Sequence, residues 1–314
     1  MLSRIGAIYS TCVMFLFLVF SAGGCGILDT EPPRDTTGPP LDVFPTDQSP
    51  AWSPDGRYVA YHHDALWTED STDVSGLYIL DLETDSTWLV VEGSARSPDW
   101  RPDGERIAFT TGNIYTIRPD GTDLQRVTDH GSAFFPAWSP DGKRLAYDAT
   151  TLPKSGTWLV NPDANGRRHL GFGRDPDWSP SGERLVFQWG PDTDSEDQIW
   201  TADTSRTDST KLTANDFVIN RHPIWSPNGE WIAWVAADSH KNEPFCQLRI
   251  MRSDGSDAES IAECAIDPIG WRPDAERIVF SKPAQGSDLT ALWTIRRDGT
   301  DLRQITNPSR NPLN

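Results

Sequence analysis

Three arginines occupy the same place in a repeated sequence pattern, and their chemistry suits the recognition of carboxylates. Arg96, Arg174 and Arg221 each stand four residues before a tryptophan that is followed by Ser-Pro or Arg-Pro. A guanidinium group can hold a carboxylate through two parallel hydrogen bonds. We therefore interpret these positions as a candidate site for an acidic peptide segment or an anionic glycan.

Aligning the repeats on the tryptophan gives the residues that accompany the arginines. Three residues before the tryptophan lie Ser49, Ser97, Phe135, Asp175, His222 and Pro268. Four residues before it lie Gln48, Arg96, Phe134, Arg174, Arg221 and Asp267. We expect both sets to gather at one end of the fold, with Phe134, Phe135, Asp175 and His222 as further contacts to a partner. The alternative is that each arginine pairs with an acid of a neighbouring repeat, such as Asp99, Asp175 or Asp177.

Metal-ligating residue types occur, but their spacing argues against a metal site. His62, His63 and Asp64 form one local cluster, and His62 stands ten residues after the tryptophan of its repeat. Adjacent residues of a strand point to opposite faces, so the two histidines cannot readily share one ion. The acidic loop 192–197 offers oxygen ligands without the full EF-hand spacing. A solvated loop is the simpler interpretation of it, and we predict no cofactor, with calcium as the alternative.

Composition and charge exclude one class of function. The chain has 314 residues, with 46 acidic against 28 basic side chains and a formal net charge of −18. A nucleic-acid-binding protein needs lysines and arginines to neutralise phosphates. Fourteen tryptophans, 25 prolines and 24 glycines favour short strands joined by tight turns over a helical bundle.

The N-terminal segment has the pattern of a secretory signal. Arg4 precedes an apolar run to Phe20, which ends in small residues before Cys25. Small residues followed by cysteine resemble the lipobox of bacterial lipoproteins, although Ala22 stands where that family usually has leucine. The resemblance implies cleavage after residue 24, a diacylglyceryl thioether on Cys25 and an acylated amine. Residues 25–43, rich in Pro, Thr and Asp, then predict a disordered tether.

Two cysteines remain in the exported domain, and their spacing predicts a disulfide. Cys246 and Cys264 are placed symmetrically about Gly255, in a turn sequence between two short apolar segments. In an antiparallel hairpin with that turn the two cysteines face each other, and an exported compartment permits the bond. Two cysteines without an adjacent histidine would be poor zinc ligands.

The chain repeats itself six times between residues 44 and 314. The repeated segments begin at Trp52, Trp100, Trp138, Trp178, Trp225 and Trp271, spaced 38 to 48 residues apart. Most continue with Ser-Pro-Asp-Gly or a close variant, and a period of this length is typical of propellers. Each unit contains four short strand-like segments. The predicted fold is therefore all-β, a six-bladed β-propeller with four antiparallel strands in each blade.

The repeat Trp-Ser-Pro-Asp-Gly, followed by an apolar strand such as Arg106-Ile107-Ala108-Phe109, resembles the WD40-like repeat of TolB-type propellers. The resemblance implies that the tryptophans and turn residues are structural. TolB itself has an α/β domain before the propeller, and nothing here matches it. Prolyl-oligopeptidase-type enzymes add a hydrolase domain, whereas this sequence ends at Asn314 and has no Gly-x-Ser-x-Gly motif.

These observations predict an envelope lipoprotein whose propeller binds another protein and catalyses no reaction. We expect a monomer anchored by its lipid, in the outer membrane facing the periplasm, because Gly26 replaces the Asp that favours inner-membrane retention in the enterobacterial scheme. The alternatives are a carbohydrate- or lactone-acting lyase or hydrolase with a metal in the channel, and a sensor of a small ligand.

Overall fold

The computed structural model describes residues 46–65, 74–150, 154–171, 173–190, 197–205, 208–214, 218–238, 246–263, 265–285 and 289–307. The predicted signal, Cys25, the tether and most of the acidic loop 192–197 lie outside the described residues. The described residues form 24 strands, and among them no helix is long and apolar enough to cross a membrane.

The strands are grouped in six antiparallel blades of four, as predicted. Blade 1 contains β1 (Thr46–Trp52), β2 (Tyr58–Asp64), β3 (Gly76–Asp81) and β4 (Ser86–Glu92). Blade 2 contains β5 (Arg96–Trp100), β6 (Ile107–Thr110), β7 (Ile114–Ile117) and β8 (Gln125–Arg126). Blade 3 contains β9 (Ala133–Trp138), β10 (Leu145–Ala149), β11 (Gly156–Val160) and β12 (Arg168–Gly171).

The second half of the ring repeats this order. Blade 4 contains β13 (Arg174–Trp178), β14 (Arg184–Trp189), β15 (Gln198–Asp203) and β16 (Ser209–Lys211). Blade 5 contains β17 (Val218–Trp225), β18 (Trp231–Asp238), β19 (Cys246–Arg252) and β20 (Glu259–Glu263). Blade 6 contains β21 (Ile266–Trp271), β22 (Arg277–Pro283), β23 (Thr290–Arg296) and β24 (Arg303–Gln304).

The turn after each inner strand follows from its sequence. In blade 1 the Gly56 amide donates to the Ser53 carbonyl at 2.9 Å, and Gly56 has a φ of +71° that side chains disfavour. The Asp55 carboxylate accepts a hydrogen bond from the Arg57 amide, and this side-chain contact stabilises the turn. Blade 6 has Ala275 at the glycine position, still at a φ of +59°, so the turn geometry is imposed there against the residue's preference.

The hydrophobic core is divided among the six blade interfaces. One cluster of buried side chains lies at each interface; between blades 1 and 2, for example, Leu77 and Ile79 pack with Trp100 and Phe109. Both faces of a blade are covered by its neighbours, which explains why most positions of the second and third strands are apolar. The first strands of successive blades contact one another and surround the central channel.

Among the described residues, the two ends of the ring exchange no strand. β24 pairs with β23 and completes blade 6 with its own strand, while β1 touches β23 through one parallel pair, Thr46 with Thr290.

The hairpin predicted around Gly255 is present in blade 5. β19 and β20 are antiparallel, and Gln247 pairs with Glu263, the residues next to the two cysteines in the chain. Cys264 itself lies outside the described residues, so the disulfide with Cys246 stays a prediction.

Candidate functional site

Each inner strand contains a β-bulge near its first residue. The register shifts there in all six blades, between Arg96 and Asp99 in blade 2 for example. Five residues at this point have a φ between 48° and 57°: Ser49, Ser97, Phe135, Asp175 and His222. Each is followed by a proline, which cannot donate to the sheet, so the ladder is interrupted at that point. A left-handed conformation costs a non-glycine residue roughly 1–2 kcal/mol.

We call the end of the channel where the inner strands begin the bulge mouth. The residues four before the tryptophan pair across the blade with those ten after it; Arg96 pairs with Thr110 and Arg174 with Gln188. The Gln188 side chain also accepts the His222 amide at 3.2 Å, which holds the bulge of the next blade.

Blade 6 departs from the alignment made on the tryptophans. β21 has one residue more between its proline and its tryptophan than the other inner strands, and it is Ile266 that pairs with Ser281, at the position of Arg96 and Arg174 in their blades. Asp267 and Pro268 therefore stand one place away from the positions assigned to them from the sequence. A Cβ atom on Gly270 would lie 3.0 Å from the Pro50 carbonyl oxygen of β1, so the close approach of blades 6 and 1 requires glycine here.

Three of the predicted residues meet at the bulge mouth. The rings of Phe135 and His222, from blades 3 and 5, have centroids 4.9 Å apart. His222 Nδ1 lies 3.2 Å from Asp175 Oδ2 of blade 4, which stands between them. Phe134 is the neighbour of Phe135 in the chain, and both phenylalanines are partly exposed.

The three arginines have different surroundings. Arg96 pairs with Asp64 at 3.0 Å, and Arg174 pairs with Asp197 at 2.6 Å while half of its side chain stays exposed. The alternative predicted from the sequence, an ion pair with an acid of a neighbouring repeat, is confirmed for Arg96, although with Asp64 and not with Asp99, Asp175 or Asp177. Arg174 also pairs with an acid, but with one of its own blade. Arg221 has no ion pair or hydrogen bond from its side chain among the residues that the structure describes.

The pair of Arg96 belongs to a small network on blade 1. His62 Nε2 lies 2.9 Å from Asp64 Oδ1, and Gln48 donates to Asp64 Oδ2 at 2.7 Å. Burial opposes ionisation of Asp64, but its hydrogen bond with His62 and the charge of Arg96 prevail and lower its pKa to about 2. His63 points to the other face and contacts Asp47, as the strand period requires.

Asp148 is the most isolated acid near the mouth. It pairs with Phe134 in the ladder and is 4% exposed, and its Oδ1 has no hydrogen-bond partner in the described part of the chain. Burial and the nearby charge of Asp175 raise the pKa of Asp148 to about 8, although Arg174 acts in the opposite direction.

Two further acids line the channel behind the mouth. Asp99 and Asp177 directly precede the tryptophans of blades 2 and 4, and each accepts a backbone amide from the next blade, that of Trp138 at 2.6 Å and that of Trp225 at 2.7 Å. Burial raises the pKa of Asp99 to about 8, with a smaller contribution from the charge of Asp177. Burial likewise raises the pKa of Asp177 to about 7.

The residue type directly before each tryptophan is a sequence signal for these channel acids. The residues directly before the six tryptophans are Ala51, Asp99, Ala137, Asp177, Ile224 and Gly270. An acid at a position that is otherwise small or apolar indicates a specific buried bond. Among the described residues, no three His, Cys, Asp or Glu side chains lie close enough to hold one metal ion.

The sequence repeat and the six-bladed propeller together identify the family. The family model of the TolB beta propeller domain matches residues 46–152 and 129–312. The chain belongs to the TolB β-propeller family. No curated protein matches the sequence.

Solved structures agree on the fold of this TolB-type propeller. A putative TolB from Agrobacterium tumefaciens is 23% identical, with a TM-score of 0.62 over 74% of this chain and 87% of that one. TolB from Acinetobacter baumannii is 18% identical, with a TM-score of 0.63 over 84% of this chain. The match spans 64% of the Acinetobacter protein.

An oligogalacturonate lyase in complex with manganese has the same fold at greater distance. It is 13% identical, with a TM-score of 0.56 over 85% of this chain and 78% of the lyase. At such identities the likeness concerns the fold, and function has to be argued from the residues of the site.

Proposed function

We propose that this TolB-type propeller is a lipid-anchored envelope protein that binds another protein at the bulge mouth. The observation that carries the proposal is the ring of five residues held in a left-handed conformation there. Strained residues persist where the surrounding structure over-determines them, and they concentrate at binding sites. Here they direct Phe135, Asp175 and His222 toward one another at the mouth.

The charges at the mouth favour an acidic segment of the partner. Arg221 and the exposed part of Arg174 provide guanidinium groups on two adjacent blades. A guanidinium group without an internal partner can clamp a carboxylate at full strength, whereas Arg96 would first have to leave Asp64. The protein as a whole carries a charge of −18, so this positive spot also gives an approaching partner its orientation.

The arginine contact is tested by Arg221→Glu in the full-length lipidated protein. A crosslinked pull-down from detergent-solubilised envelopes, read by mass spectrometry, should lose its principal partner by about tenfold or more, because a clamped carboxylate is replaced by a repelled one. Arg126→Glu, on the exposed edge strand β8, makes the same charge change away from the mouth and should retain the partner. Equal capture by both variants would place the binding site elsewhere.

The anchor is proposed from the sequence alone, and the TolB membership is compatible with it. Lipid on Cys25 would hold the propeller at the outer membrane facing the periplasm, on the tether 26–43. A serine at this position cannot carry the thioether, so Cys25→Ser should move the protein from the membrane pellet to the soluble fraction and abolish labelling by radioactive palmitate. If the wild-type protein sediments with membranes but takes up no palmitate, the lipid anchor is contradicted.

The lyase alternative receives less support from the site. The related fold binds manganese in the oligogalacturonate lyase. The described residues of this chain offer no group of ligands for such an ion, and His62 and His63 each contact a separate carboxylate. A binding function needs only the contacts that the bulge mouth already provides.

A further inference from the structure

At the opposite end of the ring, an arginine of the chain itself lies in each of two clefts between blades. Directly after the tryptophan, blades 2 and 6 have Arg101 and Arg272. Arg101 Cζ lies 5.5 Å from the centre of the Trp138 ring of blade 3, and Arg272 Cζ lies 5.5 Å from that of Trp52 of blade 1. Each guanidinium therefore lies over the tryptophan of the following blade, a favourable cation–π arrangement.

Both arginines share an ion pair and a position against a turn glycine. Each pairs with the aspartate two residues further on, Arg101 with Asp103 at 3.2 Å and Arg272 with Asp274 at 2.7 Å, always through Oδ2 of the carboxylate. Each also reaches the turn glycine of the next blade. Arg101 Nε donates to the Gly142 carbonyl at 3.2 Å.

Blade 1 has Ser53 at this position, and the corresponding cleft is open. The cleft between blades 1 and 2 has a volume of about 610 Å³ and is lined by Asp55, Trp88 and Trp100, among others. A Cβ atom on Gly104, the glycine equivalent to Gly142, would meet nothing closer than Pro54 at 4.0 Å, whereas one on Gly142 would lie 3.1 Å from Arg101 Nε. No cation lies over the Trp100 ring in the described part of the chain.

Asp55, the acid of this cleft, accepts the same backbone hydrogen bond as Asp103, the acid that pairs with Arg101. Asp55 uses Oδ1 to accept the Arg57 amide at 3.0 Å and the Ser53 hydroxyl. Asp103 likewise uses Oδ1 for the Glu105 amide, and its Oδ2 holds the arginine. Oδ2 of Asp55 has no hydrogen bond from any described residue, so the arginine-binding oxygen remains available.

The walls of the cleft add aromatic surface. Tyr58 and Trp88 meet edge to face with ring centroids 5.7 Å apart, and the Trp88 indole is fixed by donating to the Pro119 carbonyl at 3.0 Å. Asp103 and Asp120 stand at the rim. Aromatic faces combined with carboxylates are the chemistry that recognises a cationic side chain.

The other blades with serine after the tryptophan lack this combination. In blade 3 the following tryptophan is already covered, because Arg144 Cζ lies 5.0 Å from the Trp178 ring. In blades 4 and 5 the acid is replaced, by Ser181 and by Asn228. Among the described residues, the cleft between blades 1 and 2 is therefore distinguished by having the acid without an arginine.

We propose that the cleft between blades 1 and 2 binds an arginine side chain of a protein partner, packed against Trp88 and Trp100 and paired with Asp55. Its geometry repeats that of Arg101 and Arg272 inside the same molecule, with a guanidinium from outside the chain replacing the one that Ser53 does not supply. The cleft lies at the turn end of β1, opposite the bulge mouth, so it is a second contact that does not depend on the proposed function of the mouth.

The probe is the peptide acetyl-Gly-Arg-Gly-amide, titrated into the full-length protein in non-ionic detergent. Binding is followed through the indole N–H signals of Trp88 and Trp100 in NMR spectra, assigned with single Trp→Phe variants. We expect both signals to shift with the arginine peptide. The same peptide with citrulline in place of arginine has nearly the same shape without the charge, and its affinity should be at least about tenfold lower.

Ser53→Arg supplies the missing side chain from within and should abolish binding of the probe. Ser139→Arg makes the same change in blade 3, where Arg144 already covers the tryptophan, and should leave the affinity unchanged. Asp55→Asn keeps the turn, which Asn228 forms in blade 5, and should weaken the probe by about tenfold. Equal binding of the citrulline peptide, or undiminished binding by both Ser53→Arg and Asp55→Asn, would overturn the proposal.

Discussion

Replacing Asp99 and Asp177 by asparagine should make the propeller more stable at pH 8, by several kcal/mol in the free energy of unfolding. Asparagine has the shape of aspartate and can still accept the amides of Trp138 and Trp225. It removes two partly exposed charges whose ionisation is opposed by burial.

The pH dependence has a defined sign. Both carboxyls have pKa values raised from 3.8, to about 8 for Asp99 and about 7 for Asp177, so between these limits the folded state binds more protons than the unfolded state. Their contribution to stability is complete below pH 3.8 and is lost as the pH rises through 7 and 8, by about 1.4 kcal/mol per pH unit for each carboxyl. The advantage of the double variant over the wild type should therefore grow steadily from about pH 4 to pH 7 and level off above pH 8.

Urea unfolding at pH 5, 6, 7 and 8 provides the measurement. Glu105→Gln with Glu259→Gln removes two charges from exposed positions and should leave the pH profile of the wild type unchanged. A double asparagine variant that is less stable than the wild type at pH 8 would mean that the channel carboxylates are ionised in favourable contacts. The histidines with lowered pKa, His62 and His130, are present in both proteins and cancel in the comparison.

The fold could be predicted from the sequence because each blade repeats a short-range signal. A tryptophan, a proline that presets φ and a glycine that accepts positive φ mark the same turn in successive units, and the apolar strands follow within a few residues. Blade 6 shows where this reasoning reaches its limit. The additional residue between Pro268 and Trp271 shifts the bulge by one residue, which only the pairing of Ile266 with Ser281 reveals.

The contacts of the arginines could not be predicted, because they depend on distances between strands and blades. Arg96 reaches Asp64 from the preceding blade, and Arg174 reaches Asp197 from a neighbouring loop of its own blade. Neither acid is close in the sequence or recurs in the repeat. The bulges were equally hidden, since a residue before proline is ordinarily extended, and the left-handed conformation of Phe135 and His222 is imposed by the ring.

The buried indole of Trp234 connects the core to the bulge mouth. Trp234 is 1% exposed, packs between blades 4 and 5 and donates through Nε1 to Asn220 Oδ1 at 2.7 Å. Asn220 is fully buried, and its amide nitrogen donates to the Val218 carbonyl at 3.0 Å. It stands next to Arg221 and two residues before His222, so the indole also fixes the backbone that presents both.

Trp234→Ala should lower the free energy of unfolding by about 4 kcal/mol, because it opens a cavity and leaves the Asn220 oxygen without its donor. Trp158→Ala, at a partly exposed tryptophan, should cost less than half as much. Trp234→Phe separates the two contributions, since it keeps most of the packing and removes the donor. If Trp234→Phe weakens partner capture while the protein stays folded, the hydrogen bond of the indole positions Arg221 and His222. If capture equals that of the wild type, Trp234 contributes only to the packing of the core.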